Sequence, residues 1–380
     1  MRTRDQELRY VVNSCFNKII TDNILKGVEK VLIKPNFVNS APSTSGVTTD
    51  LRIIATLVRI LVERDVEVIV GESSLEDTEE VFDALNVYQL EEFGARVINF
   101  DKDEWVRVES PLRLALKRFH IARSVLDCDL IISVAKMKTH METKATLSIK
   151  NVLGMIPKRD RKVAHMIDID RAIVDVFAYL KANKKLISFV DGIYALEGRR
   201  GPTAGRPVKM DLIIAGDDAV AVDATCVKIM GYDARRVEHL TLSEKFGLGE
   251  IENVEVIGER IEDVRVKFEM PPSFPPFKSY LLSYIMDKFF KKTPYLRFKD
   301  KCTLCKTCIK NCPIENITLK NNGIEIDRKQ CIGCMICVES CKNGALDYEI
   351  SHYLTYRLLK NIRHALGGGY GGQHKSSSRS

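Results

Sequence analysis

The sequence predicts an α/β protein with a layered, mostly parallel sheet, followed by a small cysteine-rich α+β domain at the carboxyl end. Three observations carry this. Near-continuous Val/Ile/Leu runs alternate with helix-periodic segments over residues 1–270, the pattern of strands buried on both faces. Closely spaced prolines at 271–276 interrupt any helix or ladder and act as a stiff linker. Eight of the 11 cysteines then fall between Cys302 and Cys341.

The elements follow in order. Val28 to Pro35 is the first expected strand. Asp50 supplies an N-cap for a helix to about Glu63, with apolar residues at helical spacing. Further strands are expected at Val66 to Gly71, Ala95 to Phe100, Leu126 to Ala135, Leu186 to Val190 and Leu212 to Gly216. Asp217 or Asp218 caps a helix through Met230, and Val254 to Ile257 reads as a last edge strand. Residues 278–292 read as an amphipathic helix bridging two domains, with peripheral membrane contact as the lesser alternative. Residues 351–365 read as a basic closing helix, and 367–380 as a disordered Gly/Ser-rich tail. The expected organisation is an α/β domain (1–270), a linker with bridging helix (271–299), the cysteine-rich domain (300–348), and a helix with tail (349–380).

A composition of 45% apolar and 29% charged residues describes a soluble globular chain. No apolar run approaches the ~18 residues of a membrane span. No apolar stretch follows Met1 to Asp5, so a secretory signal is not expected and the cytoplasm is. The formal charge is +7. Eight thiolates holding two oxidised iron–sulfur cores would lower it to about +3, which removes most of the reason to expect specific nucleic-acid binding.

The first cysteine group is Cys302, Cys305, Cys308 and Cys312, followed by Pro313; the second is Cys331, Cys334, Cys337 and Cys341. Three close thiols can wrap three corners of one 4Fe–4S cube, while the fourth reaches the other cube. Two clusters are therefore expected. Cys302, Cys305, Cys308 and Cys341 hold one; Cys331, Cys334, Cys337 and Cys312 hold the other. Disulfides would need an oxidising compartment, and zinc favours cysteine pairs. Ile317 to Lys320 and Ile324 to Asp327 read as strands joined by a turn at Asn322-Gly323. The segment 300–348 resembles the bacterial-type two-cluster ferredoxin module. Lys342 stands where that family's second motif has proline; it either raises the potential of the Cys302 cluster or points to water. Cys15, Cys128 and Cys226 are isolated among apolar residues and read as core.

Ligands of α/β sheets collect at the carboxyl ends of strands. The candidates there are Lys34-Pro35-Asn36, Gly71-Glu72-Ser73-Ser74, Lys136-Met137-Lys138-Thr139-His140, Asp191-Gly192 with the loop carrying Gly198, Gly201 and Gly205, and Asp217-Asp218. Residues 136–162 hold eight lysines and arginines against Glu142 and Asp160, and Arg199, Arg200 and Arg206 lie in the later loop. This bias favours an anionic small molecule over a merely solvated basic face. His140 could carry a proton. Glu72, Asp191, Asp218 and Asp223 could supply an acid or a hard divalent metal. Neither a Walker loop nor a Gly-x-Gly-x-x-Gly fingerprint follows a strand.

In order, Lys34-Pro35-Asn36, Gly71-Glu72-Ser73, Lys136 to His140, Lys150-Asn151-Val152-Leu153-Gly154, Asp191-Gly192, Gly201-Pro202 with Gly205, and Ala221-Val222-Asp223-Ala224 resemble the domain of unknown function 362 family over about residues 28–235. That resemblance implies an iron–sulfur cluster-binding protein with Lys34, Asn36, Glu72, Lys138, His140, Lys150, Asn151, Asp191 and Asp223 as site residues; it implies no reaction. The expected function is a ferredoxin-dependent oxidoreductase passing low-potential electrons to an anionic substrate or cofactor in the α/β domain. Lys138, His140, Glu72 and Asp191 are its catalytic candidates. Lys34, Asn36, Lys150, Asn151 and Asp223 are its binding candidates. The alternatives are an electron carrier that docks a redox partner protein, and a cluster-containing ligand-binding or sensor protein.

Overall fold

A computed structural model of the chain describes residues 2–199, 201–271, 292–320, 323–339, 341 and 343–350. The chain divides into two compact units, Met1–Ser273 and Phe274–Ser380. Most of the proline stretch, the expected helices at 278–292 and 351–365 (Lys292 apart), the tail, Asn322, Lys342 and Arg200 lie outside the described residues.

The first unit is built on a seven-stranded sheet. Its strands are β1 (Lys30–Lys34), β2 (Glu67–Glu72), β3 (Ala95–Asn99), β6 (Leu130–His140), β7 (Lys144–Thr146), β8 (Lys185–Glu197) and β9 (Arg206–Gly216). A separate hairpin pairs β4 (Trp105–Glu109) with β5 (Arg118–Ala122). The sheet order is β3-β2-β1-β6-β8-β9, with β7 folded back on β6. The first five of these are mutually parallel, while β9 runs antiparallel to β8. This is the α/β, mostly parallel sheet that the apolar runs require. Helix Leu51–Val62 begins at the expected cap, where the Asp50 side chain accepts from the Arg52 N–H. Its Ile54, Leu57, Val58 and Leu61 pack with Val31, Ile33, Val68, Val70, Ile132 and Val134 of the sheet. Asp218 caps helix Ala219–Ile229 in the same way.

Two expectations are corrected. Val254 to Ile257 forms no strand; Val256 and Ile257 are 44% and 67% exposed, and an exposed edge gains too little burial to hold a ladder. Residues 136–140 and 191–192 do not follow their strands but lie inside them. The reason is pairing. Residues 138–140 are laddered against β7, and Lys136 sits opposite Asp191, so a charged run that reads as loop is stabilised as buried sheet.

In the second unit β10 (Lys292–Leu296) pairs with β13 (Leu346–Ile350), and β11 (Ile317–Lys320) with β12 (Gly323–Ile326), both antiparallel. Short helices at Thr307–Lys310 and Ile336–Glu339 follow the cysteine loops. Cys312, Ile317, Cys337 and Leu346 centre a small core. Among the described residues no helix is long and apolar enough to cross a membrane.

Candidate functional site

The chain leaves β1 toward β2 on one side and reaches β6 on the other. The carboxyl ends of β1 and β6 therefore border the crevice where strand order reverses, the place at which open α/β sheets bind ligands. Lys34 ends β1, and β6 carries Lys136, Lys138 and His140. Strand alternation puts these three on one face.

Two of these groups are locked by carboxylates. Lys34 Nζ lies 2.7 Å from Glu72 Oε1 and donates to Pro35 O at 2.7 Å. Glu72 also accepts from the Phe37 and Ser73 N–H groups. Burial lowers the Lys34 pKa, and Glu72 opposes that shift. Lys136 Nζ lies 2.8 Å from Asp191 Oδ2, with both side chains fully buried. Asp191 further accepts from the Asp50 and Ile193 N–H groups, and burial raises its pKa against the pull of Lys136.

Asn151 Nδ2 donates to Lys34 O and Ser133 Oγ, and Asn151 Oδ1 accepts from Asn36 Nδ2 at 3.0 Å. Asp223 accepts the Ser148 and Ile149 N–H groups at 2.8 and 2.9 Å, holding the start of the turn that carries Lys150 and Asn151. Burial pushes its carboxyl up to about 7. Gly154 closes over the Lys34–Glu72 pair. A Cβ there would lie 2.5 Å from Lys34 Nζ and 2.6 Å from Glu72 Oε1. Gly154→Ala is expected to displace the pair and cost about 1–3 kcal/mol, read as a lowered unfolding midpoint in urea. An unchanged midpoint would show that the pair yields freely.

Three groups lack carboxylate partners among the described residues. Lys138 is fully buried and, among the described residues, donates only to Val47 O at 2.8 Å. Burial, then the charges of Lys150 and Lys136, push its pKa well down. Half-buried Lys150 makes no hydrogen bond or ion pair among the described residues. Burial lowers it to about 8, against the pull of Glu142 and Asp170. His140 is buried, and its Nδ1 accepts from the Glu142 and Thr143 N–H groups at 3.2 and 3.3 Å. The proton of the neutral ring is therefore on Nε2, and burial and Lys150 keep the ring neutral. Asn36 Oδ1 and Thr146 Oγ1, the latter opposite Lys138 in the β6–β7 ladder, are buried without a hydrogen-bond partner among the described residues.

Sequence reasoning named Lys136 at a strand end, Arg161 in the basic run and Gly154 in a motif, but gave none of them a role in the site. Arg161 donates to Ser73 O and Ser73 Oγ and acts electrostatically on Lys150 and Lys34. Its signal was present within the basic run 158–162. By contrast Arg199 and Arg206, expected to add to an anion site, are paired with Glu269 and Glu197.

In the second unit two hollows are lined by thiols. Cys312, Cys331, Cys334 and Cys337 line one, with Pro313, Ile317 and Met335. Cys302, Cys305, Cys308 and Cys341 line the other, with Lys301 and Leu346. Each has four soft donors, three from one cysteine group and one from the other, around a gap with an apolar wall. That donor set fits an iron–sulfur cube. Among the described residues no three His, Cys, Asp or Glu side chains converge closely enough to hold a single ion. The free thiols of Cys128 and Cys226 are buried and that of Cys15 half-buried, in keeping with a packing role.

Comparison with known proteins agrees with this division. Residues 31–228 match the family described as "Domain of unknown function (DUF362)", and residues 301–346 match "4Fe-4S dicluster domain". A thylakoid-associated protein of Synechocystis sp. is 23% identical over 231 residues, which is 60% of this chain and 70% of that protein. An uncharacterized protein of Methanocaldococcus jannaschii is 34% identical over 77 residues, 20% of this chain and 29% of that one. Two solved structures share 13% and 12% identity at a TM-score of 0.38. They are a Thermotoga maritima protein, with 63% of this chain and 59% of that chain covered, and the lactate racemase apoprotein of Thermoanaerobacterium thermosaccharolyticum, with 59% and 55% covered.

Proposed function

Because the chain belongs to the DUF362 family and carries a 4Fe–4S dicluster domain, we propose a redox enzyme that delivers low-potential electrons to an anionic substrate or cofactor held at the β1–β6 crevice. The observation that carries the α/β half of this reading is that Lys138 and Lys150 have no carboxylate partner among the described residues. Burial without a counter-ion disfavours the ammonium form of both lysines, and an anion entering between them restores it.

The cysteine half rests on the two four-thiol hollows. Cys302, Cys305, Cys308 and Cys341 hold one 4Fe–4S cluster, and Cys312, Cys331, Cys334 and Cys337 hold a second; such groups supply one-electron chemistry. Backbone N–H groups of Gly333 and Ala345 lie 3.4 and 3.3 Å from Cys331 Sγ and Cys341 Sγ. Hydrogen bonds of this kind stabilise thiolate charge and tune potential.

In the crevice Lys138 and Lys150 orient the anion. His140 Nε2–H donates to a developing negative charge and delivers the proton that accompanies reduction. Asn36 Oδ1 accepts a ligand N–H or O–H. Lys34, Glu72, Lys136, Asp191, Asn151 and Asp223 position this set by holding β1, β6 and the turn at 148–151 in register.

Lys150 is cationic below about 8 and loses its charge above it. Affinity for an anion is therefore expected to be full at pH 6–7 and to fall as pH rises through about 8. Lys150→Met should lower it about tenfold or more, the loss of one charge-assisted contact. Isothermal titration with malonate and inorganic phosphate as probes reads both effects. Binding of neither probe, or a pH-independent affinity, would remove the anionic-ligand reading.

A further inference from the structure

We propose that the surface around Lys301 and Lys306 is where an acidic electron-carrier protein docks and delivers its electron. This rests on the iron–sulfur reading above and adds to it the entry face and the partner's charge. The two thiol hollows are not equivalent. Cys312, Cys331, Cys334 and Cys337 are all buried, whereas Cys305 is exposed and Cys302, Cys308 and Cys341 are half-buried. Electron transfer between proteins weakens steeply with distance, so the exposed set is the side a partner can reach.

The surface there has the anatomy of a protein interface. Phe298 and Leu304 are 37% and 42% exposed and supply an apolar centre. Lys301 and Lys306 line the same hollow as Leu304, and Lys299 and Lys310 add to the exposed charge of the run 299–310, whose one acid is Asp300. None of these four lysines makes an ion pair among the described residues; Lys301 Nζ lies 4.6 Å from the Phe298 ring centre. At the patch itself Arg297, 5.0 Å from the Phe298 ring centre, is neutralised by Asp347; farther along the chain Lys320 pairs with Glu325 and Arg328 with Glu349, which leaves the four lysines as the open charges. An apolar patch with an unneutralised cationic rim steers and seats a carboxylate-rich partner. The step is a single-electron exchange: the carrier is oxidised by one electron, this chain is reduced by one, and no bond is made or broken.

The test uses the full chain, prepared anaerobically with its iron, and a flavodoxin of net negative charge as the probe. Calorimetry should show binding at low salt that weakens about tenfold or more as salt screens the charges. Stopped-flow reduction by the flavodoxin hydroquinone should slow in parallel. The double variant Lys301→Glu with Lys306→Glu should lose about tenfold or more in both measurements at low salt. Its iron content and its reduction by dithionite should match the parent, and Lys320→Glu should leave all readings unchanged. No binding at low salt, salt-independent binding, or undiminished binding by the double variant would overturn the docking face while leaving the iron–sulfur reading intact. An iron-free parent chain would instead remove that reading, and this inference with it.

Discussion

Cys312→Ala, prepared anaerobically, is expected to hold about four irons per chain where the parent holds about eight. The reason is the lining of the two hollows. Cys312 follows the first cysteine group in sequence yet lies with Cys331, Cys334 and Cys337, while Cys341 lies with Cys302, Cys305 and Cys308. Double replacements then discriminate. Two thiols of the same hollow act as a unit, so Cys312→Ala with Cys331→Ala should lose no more iron than either alone. Cys312→Ala with Cys302→Ala should leave almost none. Such non-additivity is the mark of residues sharing one group. Iron assay and the electron paramagnetic resonance of the reduced protein read the outcome. If the Cys312 and Cys302 replacements instead behaved as one unit, ligation would be uncrossed.

Glu72→Gln should destabilise the α/β unit by about 3–5 kcal/mol, because it leaves the buried Lys34 ammonium without its counter-charge. Pro35 O at 2.7 Å, Asn151 Oδ1 at 3.5 Å and the neutral amide oxygen would remain to it, and none of them carries a charge. Removing the cation as well, Lys34→Met with Glu72→Gln, should recover part of the loss, since no lone charge is then buried and the amide oxygen can still accept from the Phe37 or Ser73 N–H. Urea unfolding of the two variants and the parent measures the difference. A single variant as stable as the parent would mean that Lys34 is held neutral and that the pair is not ionic.

Much of the fold is legible in the sequence because its signals are local. The apolar runs at 30–34, 67–72 and 130–134 read as buried strands, and Asp50 and Asp218 cap the helices they precede. The extent of the long strands was not legible. Lys136, Lys138 and His140 carry the composition of a loop, and only the partners across the sheet turn that run into strand. Lys136 finds Asp191, 55 residues away in sequence. Likewise Val254 to Ile257 has a strand's composition but no neighbouring strand to pair with it.

The sequence by itself determined the α/β class, the order of the motifs and the two cysteine groups. Each is written in short-range spacing, which side-chain periodicity and chain reach convert directly into geometry. Only the tertiary structure decided which charges are spent on one another and which stand open. Asp191 and Glu72 are taken by Lys136 and Lys34, Arg199 and Arg206 by Glu269 and Glu197, while Lys138, Lys150 and His140 Nε2 are left without a counter-charge among the described residues. The pairing of a charge depends on which distant segment folding brings within about 4 Å, and on how much water remains there. Neither quantity is carried by any stretch of residues read alone.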